Sequence, residues 1–121
     1  MHNFKELVIW QEAMKLAKQV YEITASFPLN EKYGLCSQMN RSVVSIPSNI
    51  AEGSGRGSDK EFTHFLSIAL GSAYELETQL LLAQSVGFVG PNQLPELLAL
   101  VQKIQRMINK FKDRLKNTPK S

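Results

Sequence analysis

Apolar residues recur at alternating steps of four and three along almost the whole chain, and no segment shows the strict alternation of a half-buried strand. The strictest run lies near the C-terminus and consists of Leu97, Val101, Ile104, Ile108, Phe111 and Leu115. This spacing places the whole run on one face of a helix, as in the seam of a coiled coil. The sequence therefore predicts an all-α protein whose helices each bury one apolar face.

Three short breaks divide this pattern into four helices. The breaks are FPLN at 27–30, GSGRGS at 53–58 and GFVGPN at 87–92. Proline and glycine at these places interrupt helical hydrogen bonding. The predicted helices cover about 5–26, 31–52, 59–86 and 93–117. Because the connections are short, we expect an antiparallel up-down-up-down four-helix bundle that spans residues 1–121 as a single domain.

Pro47 lies within the second predicted helix, where it removes one backbone donor and crowds the carbonyl of Val43. We expect a kink in the helix at this point rather than a break. Four polar residues surround the proline: Ser45, Ser48, Asn49 and Glu52. Two interpretations stay open, since small polar residues permit close helix packing and also suit an interaction surface with a subunit or a ligand.

The chain of 121 residues contains a single cysteine, Cys36, so an intrachain disulfide bond is impossible. No apolar run reaches the roughly 20 residues that span a bilayer, and the N-terminus lacks the pattern of a signal peptide. We therefore expect a cytoplasmic protein. Cys36 has no neighbouring histidine or basic residue in the sequence, which favours a packing role over that of a nucleophile.

The segment GSGRGS has the composition of a phosphate-binding loop but not its spacing. A P-loop requires GxxxxGK followed by serine or threonine after a strand, whereas here SDK follows Gly57 and a helix precedes the glycines. The favoured interpretation is a turn in which Gly53 ends one helix in a left-handed conformation and Ser58 caps the next. The alternative is an anion held at the N-terminus of the third helix with the help of Arg56.

Candidate catalytic and metal-binding residues are few. Glu61 and His64 form an ExxH motif, but a paired-metal site in a bundle needs a second such motif, and His2 is the only other histidine. Both residues lie off the apolar stripe of their helix, which favours surface roles. No serine stands in a GxSxG elbow. The sequence therefore predicts neither an enzyme nor a metal or cofactor site.

Positive charge is concentrated at the C-terminal end of the chain. Residues 101–121 hold seven basic side chains and one acidic side chain, 7 − 1 = +6, whereas the first hundred residues hold seven basic and ten acidic side chains, 7 − 10 = −3. At 100° per residue, four of the basic residues form a band about 80° wide that faces away from the apolar seam. They are Lys103, Arg106, Lys110 and Arg114. Such a band suits contacts with phosphates, although an ordinary solvated face has the same composition.

The third predicted helix carries more apolar surface than one neighbouring helix needs to cover. Beside its main stripe, a second apolar stripe consists of Leu70, Tyr74 and Leu81. An apolar arc of this width indicates either a central helix or a contact with another subunit. We therefore predict that this stripe lies in an oligomer interface.

Four blocks of sequence are distinctive: WQEAMKLAKQVY at 10–21, FPLNEKYGL at 27–35, SIPSNIAEG at 45–53 and LGSAYELETQL at 70–80. Together they resemble the four-helix bundle proteins encoded within intervening sequences of bacterial 23S rRNA genes. This resemblance implies a small cytoplasmic bundle that assembles as a homopentamer and has no catalytic residues. A related protein, the accessory variability determinant of diversity-generating retroelements, is a pentameric bundle that binds nucleic acid and a reverse transcriptase.

The chain departs from that family in one place. The family often has consecutive arginines after SQ, whereas SQMNR here leaves Asn40 before a lone Arg41. If such a pair serves RNA binding, this chain has kept half of it.

These observations predict a non-catalytic, homo-oligomeric module that binds RNA or a nucleoprotein through its basic C-terminal helix. The backbone of DNA is a further possible ligand, because charge alone does not distinguish the two. The main phosphate contacts are expected from Lys103, Arg106, Lys110 and Arg114, and secondary contacts from Arg41, Arg56, Lys112 and Lys116. No membrane contact is expected, since the apolar face of the last helix is committed to the bundle. The alternative is a protein-protein interaction scaffold in which the basic helix is only solvated.

Overall fold

The computed structural model describes residues 3–117, so His2, Lys120 and the other residues of 1–2 and 118–121 lie outside the described part. Four helices run through this part: α1 at Val8–Thr24, α2 at Leu35–Ser54, α3 at Asp59–Ser85 and α4 at Leu94–Lys116. Short 3-10 turns at Phe4–Glu6 and Leu29–Glu31 precede α1 and α2. The described residues contain no strand. This architecture confirms the predicted all-α class with four helices.

The first helix begins at Val8, three residues later than the sequence pattern indicates. Leu7 is extended and separates α1 from the turn before it. The Asn3 side chain accepts a hydrogen bond from the backbone N–H of Lys5, and the Gln11 side chain donates to the carbonyl of Lys5. Asn3 therefore caps the 3-10 turn, and Gln11 pairs the Lys5 carbonyl, which a continuous helix would have paired internally.

The second helix begins at Leu35 because Gly34 has a non-helical backbone conformation. Glu31 belongs to the preceding 3-10 turn, and its carboxylate accepts a hydrogen bond of 3.2 Å from the N–H of Leu35. A residue assigned to the helix from the sequence pattern thus acts as its N-terminal cap. α2 then continues through Pro47, which is buried.

The prediction that Gly53 ends α2 in a left-handed conformation is wrong. Gly53 lies inside α2, which extends to Ser54, and positive φ occurs at Gly87 instead. A Cβ atom added at Gly53 would lie 2.7 Å from the Cβ of Phe65 and 2.9 Å from Cδ1 of Phe62. Glycine is therefore required for the close approach of α2 and α3 rather than for a turn.

The starts of α3 and α4 follow the sequence signals. The Ser58 hydroxyl accepts a hydrogen bond of 3.2 Å from the N–H of Glu61, which makes Ser58 the predicted N-cap. Pro95 lies in the first turn of α4, where its missing N–H has no intrahelical partner to lose.

The helices form a ring in which α1 contacts α2 and α4, and α3 contacts the same two helices. Two aromatic contacts fix their directions. Phe27 and Phe88 lie 5.4 Å apart between ring centroids, so the α1–α2 and α3–α4 connections share one end of the bundle. Phe62 and Phe111 lie 5.2 Å apart at the other end, where α3 begins and α4 finishes. Neighbouring helices are therefore antiparallel.

The core of the bundle is aliphatic. Its largest fully buried side chains come from all four helices: Leu16, Met39, Ile46, Ile50, Leu66, Leu76, Leu80, Ile104 and Ile108. Most of the predicted α4 seam is enclosed, while Phe111 and Leu115 are partly buried against the core. No helix within residues 3–117 combines the length and the hydrophobicity required to cross a bilayer.

Candidate nucleic-acid interface

The basic band of α4 lies on the outer surface of the bundle, as the sequence predicts. Lys103, Arg106, Lys110 and Arg114 are all exposed. Their backbone is held by a seam of buried residues on the opposite side of α4, so the band cannot turn inward without exposing the core. The arrangement therefore presents several cations along one helix.

Lys103 differs from the rest of the band because it forms an ion pair with α1. Its Nζ lies 2.8 Å from Oε1 of Glu12. The hydrogen bond from Lys103 lowers the pKa of Glu12 below its usual value; the positive charges of Lys103 and Lys15 add to this effect, and partial burial opposes it. The charge of Lys103 is thus partly compensated within the protein.

Arg114 and Lys110 lie on the side of α4 that faces the start of α1. The guanidinium carbon of Arg114 lies 5.1 Å from the ring centroid of Phe111, within cation–π range. Both cations line an apolar depression whose other walls include Leu7, Val8 and Met107. Both cations are exposed although they lie beside this depression.

A second glutamate holds α4 against α3. Glu77 accepts hydrogen bonds of 2.9 Å from Gln102 and 2.8 Å from Gln105. These two bonds lower the pKa of Glu77, with burial as the opposing effect. Glu12 on α1 and Glu77 on α3 therefore contact α4 from two sides and support the orientation that its buried seam sets.

Lys112 and Lys116 lie apart from the band, on the α3 side of α4. They line a groove between α3 and α4 that has a volume of about 800 Å³. We call this the α3–α4 groove, and its lining consists of Ser58, Asp59, Lys60, Thr63, Ser67, Asn109, Lys112, Asp113, Leu115 and Lys116. The sequence pattern did not indicate Lys60 as part of a site, because the partners of a groove come from helices that are distant along the chain.

The structure does not bring Arg41 and Arg56 together with the other predicted cations. Arg41 lies on α2 and Arg56 in the turn between α2 and α3, and among the described residues no Cα atom of α2 lies within 8 Å of a Cα atom of α4. Arg41 is exposed near the middle of α2. Any ligand that contacts both α4 and Arg41 must therefore pass around the bundle or bridge two subunits.

Arg56 is engaged locally. Its Nη2 lies 2.6 Å from Oε1 of Glu52, and its guanidinium carbon lies 4.7 Å from the ring centroid of Phe65. These contacts anchor the glycine-rich turn to both of its helices. They favour the interpretation of GSGRGS as a turn, because Arg56 pairs with Glu52 and packs on Phe65 instead of reaching over the N-terminus of α3.

The polar residues beside Pro47 connect α2 to α3. The Asn49 amide donates to the carbonyl of Ser45 at 2.8 Å and to its hydroxyl at 2.9 Å, and the Ser72 hydroxyl donates to the Ser45 hydroxyl at 2.8 Å. Ser42, which is buried, donates to Glu75. These contacts give Ser45 and Asn49 a packing role, whereas Ser48 and Glu52 stay exposed.

The residues of the predicted interface stripe on α3 differ in exposure. Leu70 is 9% exposed and joins the protomer's own core, whereas Tyr74 and Leu81 are 48% and 47% exposed. Two further apolar side chains of α3, Ile68 and Leu82, are exposed that the stripe did not include, and so is Val86, the residue that follows α3. We call Ile68, Tyr74, Leu81, Leu82 and Val86 the α3 apolar face.

The other candidate residues have ordinary surroundings. Glu61 and His64 are exposed, and no group of three or more metal-binding side chains occurs within residues 3–117. Cys36 packs partly against the core, with its Sγ 3.8 Å from the carbonyl oxygen of Thr24.

The fold and this surface define a small helical-bundle protein with a basic C-terminal helix. The chain belongs to the 23S rRNA-intervening sequence protein family, whose model matches residues 5–110. A solved structure of similar shape is that of a protein of unknown function from the S23 ribosomal protein family of Bacteroides thetaiotaomicron VPI-5482. The TM-score is 0.79 at 24% sequence identity, and the alignment covers 87% of this chain and 98% of that chain. This likeness supports the fold alone. No curated protein matches the chain.

Proposed function

We propose that this protein is a non-catalytic RNA-binding module that works as a cytoplasmic homo-oligomer. The observation that carries the proposal is the outward band of α4, in which Arg106, Lys110 and Arg114 are exposed beside a groove that holds three lysines. Lysine and arginine side chains neutralise backbone phosphates and release counterions, which supplies affinity without reading a base sequence. The family name adds a connection to 23S rRNA genes.

Assembly strengthens this proposal. The α3 apolar face exposes between 40% and 51% of each of its side chains, which is costly for an isolated protomer. We propose that copies of the chain cover this face for one another and that five copies form the assembly. Repetition of one basic helix then multiplies a modest phosphate affinity through effective concentration.

Binding of a labelled, structured 23S rRNA fragment at low salt tests the proposal. The wild type is compared with the triple variant Arg106→Gln, Lys110→Gln, Arg114→Gln and with a control of equal charge, Lys15→Gln, Lys18→Gln, Lys32→Gln. We expect the α4 variant to lose at least tenfold in affinity and the control to lose little, because three phosphate contacts are removed in only one of them. Absence of RNA binding by the wild type at low salt would refute the proposal.

A protein-binding scaffold is the second candidate function. It is favoured by the connection between α1 and α2, where Leu29 is 93% exposed and Tyr33 is 87% exposed. Large exposed side chains of this kind are common anchors in protein interfaces. A partner that co-purifies after nuclease treatment and is lost in Leu29→Ser, Tyr33→Ser would favour this function, whereas loss of all partners on nuclease treatment would favour RNA binding.

A further inference from the structure

The α3–α4 groove has lysines on both of its walls. Lys60 comes from the first turn of α3, and Lys112 and Lys116 come from the last turns of α4. The antiparallel packing of the two helices brings these distant parts of the chain together. Cations that face each other across a groove are suited to an anionic chain that runs between them, since each wall contacts a different phosphate.

The same groove contains groups that a site for bare phosphate would lack. Asp59 and Asp113 reduce the charge of the lining to 3 − 2 = +1, and both would repel a phosphate placed beside them. A carboxylate is, however, a good acceptor for the hydroxyl of a ribose, the role that an acidic residue has in dinucleotide-binding folds. Asp113 and Asn109 are four residues apart on α4, so they lie on the same face of the helix, and both line the groove.

The remaining lining residues argue against a ligand that binds by stacking of its rings. Thr63 and Ser67 add hydroxyl groups on the α3 wall, and Leu115 is the one aliphatic side chain among the lining residues. None of these lining residues is aromatic, so the groove offers no surface on which a base would stack. Its cations and hydrogen-bonding groups therefore suit a sugar-phosphate backbone better than a stacked nucleobase.

We propose that the α3–α4 groove binds the ribose-phosphate backbone of RNA and makes the protein prefer RNA over DNA. The inference rests on the proposed RNA-binding function and adds to it a site and a basis for selectivity. Lys60, Lys112 and Lys116 contact successive phosphates, and Asp113 with Asn109 binds the 2′-hydroxyl between them. DNA lacks that hydroxyl, so it meets the carboxylate without gaining the hydrogen bond.

Single-stranded RNA and DNA of the same sequence, about 12 nucleotides long, test this inference with the full chain in its native assembly. We expect the wild type to bind RNA roughly fivefold more tightly, the effect of one net hydrogen bond. The double variant Asp113→Ala, Asn109→Ala should bind both nucleic acids equally, with DNA affinity unchanged or raised. The double variant Lys112→Gln, Lys116→Gln should weaken both.

Matched controls replace side chains of the same chemical type elsewhere on the surface. Glu22→Ala, Asn92→Ala replaces an acid and an amide outside the groove, and Lys18→Gln, Lys32→Gln removes two positive charges outside it. Both controls should keep the wild-type preference for RNA. Circular dichroism and assembly mass show which variants are folded. If the double variant Asp113→Ala, Asn109→Ala does not fold, the single variant Asn109→Ala is used in its place.

The outcomes separate this inference from the function on which it rests. Failure of the wild type to bind either nucleic acid at low salt would overturn the proposed function. Binding of both with equal affinity, unchanged by the groove variants, would overturn the subsite and leave RNA binding on α4 intact. Free ribose 5-phosphate that displaces RNA at the concentration of the RNA itself would also overturn it, because the site would then belong to a free sugar phosphate.

Discussion

The helices α3 and α4 are neighbours in the bundle, yet they present opposite chemistry to solvent. The outer side of α3 exposes apolar residues such as Tyr74 and Leu82, at 48% and 50% exposure, whereas the outer side of α4 exposes Arg106 and Lys110. Both helices bury a similar apolar seam in the core. The difference is not required for burying the core, and it underlies the two proposed partners, a second copy of the chain for α3 and an anionic nucleic acid for α4.

The two helices also differ in how they are attached. α3 approaches α2 so closely that Gly53 has no room for a side chain, and a partly buried hydrogen bond between the Ser72 and Ser45 hydroxyls crosses the same boundary. α4 is fixed at its edges by polar contacts to Glu12 and Glu77. The α2–α3 contact depends on close steric fit, whereas the polar contacts of α4 are partly exposed and add to the orientation that its buried seam sets. Substitutions should therefore have larger effects at the α2–α3 contact than at these polar contacts.

The largest effect is expected where α3 is packed most tightly. Gly53→Val should lower the free energy of unfolding by about 3 kcal/mol, because the new side chain overlaps Phe62 and Phe65. Urea denaturation measures the change. Gly57→Val is the control, since a Cβ there meets nothing within 4 Å and the stability should change little. Equal effects at both positions would mean that the α2–α3 contact is not tight.

The next largest effect is expected on self-association, at the α3 apolar face rather than inside the bundle. Leu82→Glu with Val86→Glu should weaken self-association by about 2 kcal/mol, or roughly thirtyfold, because two charges would be buried in the interface. Light scattering over a dilution series measures this change, with Lys15→Glu, Lys18→Glu on α1 as the control. An unchanged assembly mass would show that the α3 apolar face is not the interface.

A smaller effect distinguishes the protomer from its assembly. Gly71 lies within the α3 apolar face, and a Cβ there would meet nothing within 4 Å in the protomer. Gly71→Ala should raise the free energy of unfolding of the dissociated protomer by about 1 kcal/mol, the difference in helix propensity. If a neighbouring subunit approaches α3 closely, the same substitution weakens assembly. A stabilised protomer with unchanged assembly would place the subunit contact elsewhere on α3.

The smallest effect is expected at the edge of α4. Glu12→Gln should lower the free energy of unfolding by about 0.5 kcal/mol at pH 6, because the pair with Lys103 is partly exposed. The folded-state pKa of Glu12 lies below the usual 4.5, so the pair stabilises fully above about pH 4.5 and its contribution disappears as the pH falls through the lowered value. Denaturation over a pH series should therefore show the full difference at pH 6 and a smaller one as the pH falls below 4.5, and a difference that does not change over this range would exclude the ion pair as its cause.

Local patterns in the sequence predicted most of the fold. Four helices, the seam of α4, the cap at Ser58 and the position of Pro95 all follow from spacing or from the residue types at helix ends. The start of α1 was not predictable in this way, because the apolar spacing continues through Leu7 although its backbone is extended. The apolar spacing is compatible with a helical and with an extended Leu7. The hydrogen bonds of Asn3 and Gln11 to the Lys5 backbone are what accompany the extended conformation.

The site was less predictable than the fold. The outward direction of the α4 band follows from periodicity, but the pair of Lys103 with Glu12 joins residues separated by 91 positions in the sequence. The role of Gly53 depends on Phe65, and the α3–α4 groove depends on the antiparallel packing of two helices. A periodic pattern shows which side of a helix faces solvent, but it does not show which residue of another helix lies opposite.

The most direct test of the account is the salt dependence of RNA binding. The logarithm of the association constant is measured against the logarithm of salt concentration for three proteins. They are the wild type, the α4 variant Arg106→Gln, Lys110→Gln, Arg114→Gln, and the charge-matched control Lys15→Gln, Lys18→Gln, Lys32→Gln. We predict a linear decrease for the wild type and a slope smaller by about 2 in the α4 variant, since each lost phosphate contact removes about 0.7 for single strands. The control should keep the wild-type slope. Equal slopes in all three proteins would contradict the assignment of RNA binding to α4.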